Sequence, residues 1–471
     1  MIVSYFRTFL GHFVLSDRRP GNKIESDLEM ERNLVILFIP FLFLFIAIEM
    51  GFSDLRNRKL YRLGDSLNNF ATGILNQIFI IVFHSITIAG YLWIYSRWRI
   101  FDLPAWPGQT VSWISMWEFF GIPEAYLSLG IVALTWGACL FFYELAYYWN
   151  HRFSHETNFL WAGHIVHHQS EEYNLGVAFR QASFRGLFTW VFYLPLAVIG
   201  FPPIVMGLVA QLSLIYQFLI HVRWIRRLPG WFETIFNTPS HHRVHHGINP
   251  QYINKNYGGM FIFFDKWFRT FQPETEEAVY GITTQLKSFN PLWANFHYWV
   301  EMFVLGKNSR GWKDRIRILF ANPGWKPTTF VEPEQKRINQ IETLKKYDVI
   351  LPKGLTIYSI LWSCITLFGS FLALLFASEI PTSILHTIFF MSILSFACIG
   401  GICDLRRWVL YAEPIRLLYL FYLTVTFFGD SKTAYLISGF FLLSWLWLLK
   451  NRESFGMDKG QGIGNELLEE N

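Results

Sequence analysis

Charge is scarce in this 471-residue chain. Only 16% of its residues are Asp, Glu, Lys or Arg, where an ordinary soluble domain carries about 25%. A disordered chain is excluded too, because such chains are charged and poor in aromatics, and this one has 48 Phe and 20 Trp. Neither sign of charge is gathered into an arm. A net charge of +5, spread along the chain, gives no reason to propose nucleic acid as a partner. Cysteine is also rare. Cys139, Cys364, Cys398 and Cys403 lie in or beside apolar runs and form no CxxC pair. That pattern supports neither a disulfide framework nor a thiolate zinc site. Internal repeats and low-complexity tracts are absent.

What the chain has is long apolar runs. A spanning helix needs about 20 mostly apolar residues. Runs at 33–51, 70–95 and 125–149 qualify, and 186–220 is long enough for a hairpin of two spans broken at Pro202-Pro203. Four more follow at 355–377, 382–402, 409–428 and 432–449. The first run follows a segment of mixed charge and lacks a small-residue cleavage site, so it reads as an anchor. The expected fold is an all-α, polytopic membrane protein. Lys and Arg in short loops set the orientation. Arg56, Arg58, Lys59 and Arg62 on one loop, with Arg406 and Arg407 on another, place 150–185, 222–354 and the C-terminus in the cytoplasm. The five basic residues in 1–32 disagree with that count.

The histidines are gathered. Of 14, ten fall between 151 and 246: His151, His155, His164, His167, His168, His221, His241, His242, His245 and His246. His151 and His155 are spaced i, i+4, which puts them on one helical face. His164, His167 and His168 form HxxHH, and His242, His245 and His246 repeat it. His221 closes the apolar hairpin on the side where the other boxes lie. Imidazole suits iron, zinc, copper and nickel alike. One metal takes four to six donors, so this number of imidazoles points to a di-metal site facing the cytoplasm at the helix ends. A zinc hydrolase of the HExxH kind is a poor match, because Glu156 follows His155 and does not sit between two histidines. Glu144, inside an apolar run and seven residues before His151, is expected to orient a ligand imidazole. His297 is expected on an interfacial helix. Oxygen-activating di-iron sites attack unactivated C–H bonds, and the membrane setting implies a lipid substrate.

The words NHRFSHE, WAGHIVHHQSEEYNL, FNTPSHHRVHHG and KNYGGMFIFFDKWFRTF, within about 140–300, resemble the fatty acid hydroxylase/sterol desaturase superfamily. Within it they are most similar to the alkylglycerol monooxygenase family. The resemblance implies hydroxylation of an ether lipid beside its ether oxygen, two iron ions, O2 as oxidant and tetrahydrobiopterin as electron donor. It implies that His151, His155, His164, His167 and His245 surround one metal and that His168, His221, His242 and His246 hold the other, with His241 less regular. It gives Glu156 and Asn174 the task of orienting ligands or pterin, and Tyr257 and Asp265 a place at the rim. One departure is visible: Arg269 stands where the family shows Gly.

The expected domains are a polar segment 1–32, transmembrane helices 33–149 and a catalytic region 150–300 that includes the hairpin 186–220. A polar segment 301–354, transmembrane helices 355–450 and a tail 451–471 follow. The membrane would be the endoplasmic reticulum in a eukaryote or the inner membrane in a bacterium. Two alternatives remain at this point. One is a sterol, carotenoid or fatty-acyl enzyme of the same superfamily fed by a protein electron donor. The other is a membrane metal transporter or sensor.

Overall fold

A computed structural model describes residues 22–56, 58–107, 109, 124–309, 311–327 and 345–456. The polar segment at the N-terminus and the C-terminal tail fall largely outside these residues. Within them every regular element is helical, as expected, and extended backbone makes only two isolated bridges, Phe236 with Phe261 and Gly247 with Tyr280. Six helices among the described residues are long and apolar enough to cross a membrane.

Helix α1, Asn22–Leu55, carries the first apolar run, and the charged residues before that run continue the same helix. Helix α2, Leu63–Trp98, opens with Asp65 in its first turn, where a carboxylate complements the helix dipole. Helix α3, Glu124–Glu156, has 33 residues. At a rise of about 1.5 Å per residue it is about 50 Å long, whereas the hydrocarbon layer is about 30 Å thick. Its last turns therefore have the length to project beyond the apolar layer, and those turns carry His151 and His155. A one-turn helix, α4 (Ile165–His168), follows with the second box.

The hairpin differs from the expected pair of spans. Its first limb is three short pieces, Arg185–Thr189, Trp190–Tyr193 and Leu194–Ile199. Its second limb, α5 (Pro203–Leu219), has 17 residues, at the lower limit of a spanning helix. The bend lies at Gly200, with φ +110°, where a Cβ would meet the Phe101 carbonyl oxygen at 1.9 Å. Only glycine fits there. The limbs pack against α2 and α3 around Leu196, Ala197, Phe201, Val205 and Val209. Helix α6, Pro239–His246, starts with Pro at its first position and bears the third box. Helix α7 is Pro291–Asn308.

The C-terminal bundle is α8 (Lys353–Leu375), α9 (Thr382–Cys403), α10 (Val409–Phe428) and α11 (Lys432–Lys450), close to the four expected runs. Helices α8 and α9 dock on α2, which joins the bundle to the catalytic region. Apolar side chains such as Leu418 and Leu436 point outward, 67% and 77% exposed, as lipid-facing residues would. Polar side chains point inward. Ser370 bonds Ser392 at 2.8 Å across α8 and α9. Glu413 and Arg416, both fully buried, pair at 2.7 Å. Arg416 also donates to Ser395 at 3.0 Å and lies 3.9 Å from the Trp362 ring, while Tyr358 donates to Glu413.

Removing one member of such a pair strands a buried charge and costs about 3–5 kcal/mol. Glu413→Ala should lower the unfolding midpoint of the detergent-solubilised protein strongly. Glu413→Leu with Arg416→Leu, which removes both charges, should recover much of that loss. A single variant as stable as the parent would show that the pair does not pin the bundle.

Candidate metal centre

Nine of the ten clustered histidines meet. One group is His151, His155, His164, His168 and His245, and the other is His167, His221, His242 and His246. Within each group one ring nitrogen per residue lies within 4.8 Å of the others. All nine are buried. The rings of His168 and His246 stack at 4.5 Å, so the groups share a wall.

This grouping differs from the one the resemblance implied, with His167 and His168 exchanged. The reason is helical geometry: residues four apart share a face, and adjacent residues point about 100° apart. His151 with His155, His164 with His168, and His242 with His246 each stay together. The doublets His167-His168 and His245-His246 each contribute one ring to either group.

His241 joins neither group. Its Nδ1 lies 3.3 Å from Thr238 Oγ1, and its ring packs edge-on against Phe271 at 5.4 Å. One residue before His242 in α6, it lies about 100° round the helix from that ligand.

The hydrogen bonds decide the protonation of the rest. Four imidazoles face a backbone carbonyl through Nδ1: His151 to Tyr257 at 2.7 Å, His167 to Arg180 at 2.9 Å, His221 to Gln217 at 2.7 Å and His245 to Lys255 at 3.1 Å. A carbonyl only accepts, so Nδ1 carries the proton. A neutral imidazole has one N–H, so each Nε2 presents a bare lone pair. Double protonation is no escape, because burial pushes the His221 imidazole down to about 4 and that of His245 down to about 3. Yet His221 Nε2 and His167 Nε2 stand 3.4 Å apart, both bare. The Nε2 atoms of His155, His245 and His246 have no hydrogen-bond partner at all.

Converging lone pairs without protons repel unless a cation sits among them. A metal–imidazole bond of about 2.1 Å places adjacent donors about 3 Å apart around a right angle. The observed Nε2 separations fit: His151 to His164 at 3.0 Å, His164 to His168 at 3.2 Å, and His221 to His242 at 3.1 Å. All-imidazole donors suit iron, and also zinc, copper or nickel.

The other expected residues lie one step further out. Glu144 touches no imidazole. It accepts from Ser213 on α5 and from the Met260 N–H at 2.6 Å. A Cβ on Gly259 would meet Glu144 Oε2 at 2.7 Å, which explains the glycine. Asp265 accepts from the N–H groups of Tyr257 and Gly258, both at 2.7 Å. Glu144 and Asp265 thus clamp the loop 257–260 from both ends, and that loop presents the carbonyl that holds His151. Glu156 pairs with Arg152 at 3.0 Å, outside the groups. Asn174 donates to the Leu60 carbonyl at 2.7 Å, also away from the imidazoles. Arg269 takes φ +60°, the conformation glycine prefers, which accounts for the family's Gly there. His297 stands apart beside Gln169.

Arg180 was missed. It is 1% exposed and donates to Val166 O at 2.7 Å, Gln169 Oε1 at 2.7 Å and Asn69 Oδ1 at 2.9 Å. It grips the chain on both sides of His167-His168, and its own carbonyl fixes His167. The available signal was a lone arginine in the apolar stretch LGVAFRQASF.

Residues 136–270, which carry these histidines, match the family model described as fatty acid hydroxylase. The chain is similar to proteins named alkylglycerol monooxygenase. It is 36% identical to the one from Homo sapiens over 310 residues, 66% of this chain and 64% of that protein. For Xenopus tropicalis the figures are 35% over 287 residues, 61% and 58%. For Caenorhabditis elegans they are 33% over 313 residues, 64% and 55%. The match spans less than two thirds of each relative's length. No solved structure matches.

Elemental analysis of single variants tests the partition. His168→Ala should deplete one metal per chain and His221→Ala the other, while His241→Ala should keep both. Loss of metal in His241→Ala equal to that in His168→Ala would contradict the arrangement.

Proposed function

We propose that the chain is a membrane di-iron monooxygenase. It hydroxylates the ether-linked alkyl chain of glycerol ether lipids at the carbon beside the ether oxygen. The observation that carries the reading is the set of bare Nε2 lone pairs in two adjacent groups. The relatives' printed name supplies the substrate class. Iron in the two groups would supply, with O2 and two electrons, transfer of one oxygen atom into a C–H bond, the other oxygen leaving as water. Tetrahydrobiopterin is the proposed electron donor.

The chain's own residues do the rest. The carbonyls of Tyr257, Arg180, Gln217 and Lys255 hold four imidazoles in the tautomer that binds metal. Burial keeps the imidazoles outside the membrane neutral at physiological pH. The hairpin, with Leu196, Phe201, Val205 and Val209 against Tyr143 and Tyr147 of α3, forms a water-poor wall suited to an alkyl chain beside His151. The product is a hemiacetal. Its proton passes from the new hydroxyl to the glycerol oxygen as the C–O bond breaks, giving a fatty aldehyde and a glycerol.

The orientation that places the histidine boxes in the cytoplasm, and residence in the endoplasmic reticulum or a bacterial inner membrane, belong to the same proposal. A metal transporter is disfavoured because the donors close into two buried groups and do not line a path. No feature of the site favours a sterol or acyl-chain substrate.

The test is turnover of a 1-O-alkylglycerol by iron-loaded protein in detergent, read as fatty aldehyde. Aldehyde requiring both O2 and tetrahydrobiopterin is expected. Aldehyde made without pterin but with a ferredoxin or cytochrome donor would overturn the choice of reductant. No aldehyde from a fully loaded protein would overturn the substrate.

A further inference from the structure

The last turns of α3 carry a depth scale. The stretch FFYELAYYW at 141–149 is an aromatic belt of the kind found where spanning helices leave the hydrocarbon layer. At about 1.5 Å per residue, Phe141 lies about 12 Å deeper along the axis than Trp149. Rings from the chain after α6 pack along this scale. The Phe268 ring lies 5.0 Å from Tyr148 and 4.9 Å from Trp149, at the outer end. Phe263 and Trp267, both on the short helix Phe263–Trp267, lie 6.4 Å from Phe141, at the inner end. That helix therefore reaches below the outer edge of the belt. Trp267 is nevertheless 62% exposed. At that depth an exposed indole faces lipid.

The rings continue away from α3. Phe261 stacks on Phe263 at 5.1 Å and meets Phe236 at 5.6 Å, and Phe236 stacks on Phe232 at 4.5 Å. Phe232 belongs to a second short helix, Gly230–Ile235, whose Trp231 is 67% exposed. Backbone and side chain tie the two helices into one unit. The Ile262 N–H donates to the Ile235 carbonyl at 3.0 Å, and Lys266 Nζ donates to the Thr234 carbonyl at 2.9 Å. Arg269 follows Phe268 and so leaves this unit at the outer end of the belt. It is exposed, and among the described residues no carboxylate lies within ion-pair distance of it. Its φ of +60° strains any side chain and suits glycine. Backbone strain of this kind gathers at functional positions, and a guanidinium is suited to phosphate.

We propose that helices Gly230–Ile235 and Phe263–Trp267 form a lip set into the bilayer, at the level of the headgroups and the upper acyl chains. Trp231 and Trp267 rest among the chains, and Arg269 binds the phosphate of an anionic lipid at the rim. Asp265, inside the second helix, clamps the amides of Tyr257 and Gly258, and Tyr257 presents the carbonyl that holds His151. The surface that meets the membrane and the loop that sets a metal ligand are thus one piece of chain. The sequence expectation put 222–354 wholly in the cytoplasm, because helices of six and five residues are too short to read as apolar runs. The lip requires only that α3 spans the membrane, and it stands whatever lipid the centre oxidises.

The test is collisional quenching on the full chain in phosphatidylcholine vesicles. Cys364 is the exposed one of the four cysteines, so Cys364→Ser supplies the background. A fluorophore is attached through Trp267→Cys, Trp231→Cys or, as a control, Gln251→Cys, at a position exposed beyond α6. The quenchers are iodide in the water and, in the bilayer, phosphatidylcholine or phosphatidylglycerol with a doxyl group high on the acyl chain. Labels through Trp267→Cys and Trp231→Cys should be quenched by doxyl lipid and shielded from iodide, with the reverse for Gln251→Cys. Beside Trp267→Cys, doxyl phosphatidylglycerol should outdo doxyl phosphatidylcholine about two- to fivefold, as one arginine at an anionic surface allows. Adding Arg269→Gly should bring the two lipids level while both still quench. Glycine takes φ +60° without strain, so that variant keeps its fold. Iodide quenching through Trp267→Cys as strong as through Gln251→Cys would overturn the lip. Equal quenching by the two lipids in the parent, or a preference unchanged by Arg269→Gly, would overturn the role of Arg269.

Discussion

Everything in the catalytic region depends on holding buried imidazoles with a bare nitrogen turned inward. That arrangement is unfavourable unless a metal fills it, and it forms only if the other nitrogen is occupied. The chain meets this need with backbone carbonyls, and it then spends buried charged side chains on fixing the loops that carry those carbonyls. Glu144 and Asp265 clamp the loop of Tyr257. Arg180 fixes both its own carbonyl and the chain around His167. Losing such a residue need not remove a ligand. It lets a carbonyl drift, and with it the tautomer.

The membrane-spanning part serves the same site by length. Helix α3 is longer than the hydrocarbon layer is thick, so its last turns have the length to offer histidines beyond that layer while its middle stays apolar. The hairpin has shorter limbs, and it returns to leave His221 beside the boxes. The C-terminal bundle touches none of the imidazoles. It braces α2, and its buried Glu413–Arg416 pair fixes how its own helices pack.

Much of this was legible in the sequence, because spacing is geometry. Histidines four apart share a face, and that rule gives the pairs His151/His155, His164/His168 and His242/His246, although it also pairs His241 with His245, which the structure separates. The partition carried over from the superfamily differs from the observed grouping by an exchange of His167 and His168. The apolar runs located the C-terminal helices to within a few residues. Other features were not legible. Nothing local marks His241 as turned toward Phe271, since that depends on where α6 begins. Glu144 was visible as an odd charge in an apolar run, but its partners, Ser213 and the Met260 amide, lie 69 and 116 residues away. Arg180 was visible only as a lone arginine in an apolar stretch, and only the fold shows it tied to three acceptors.

The central claim is that two adjacent imidazole groups hold a pair of metals. Mössbauer spectroscopy of the protein loaded with 57Fe tests it most directly. The account predicts two irons per chain in nitrogen-rich environments, magnetically coupled once oxidised. A single iron per chain, or two irons with no coupling, would contradict it.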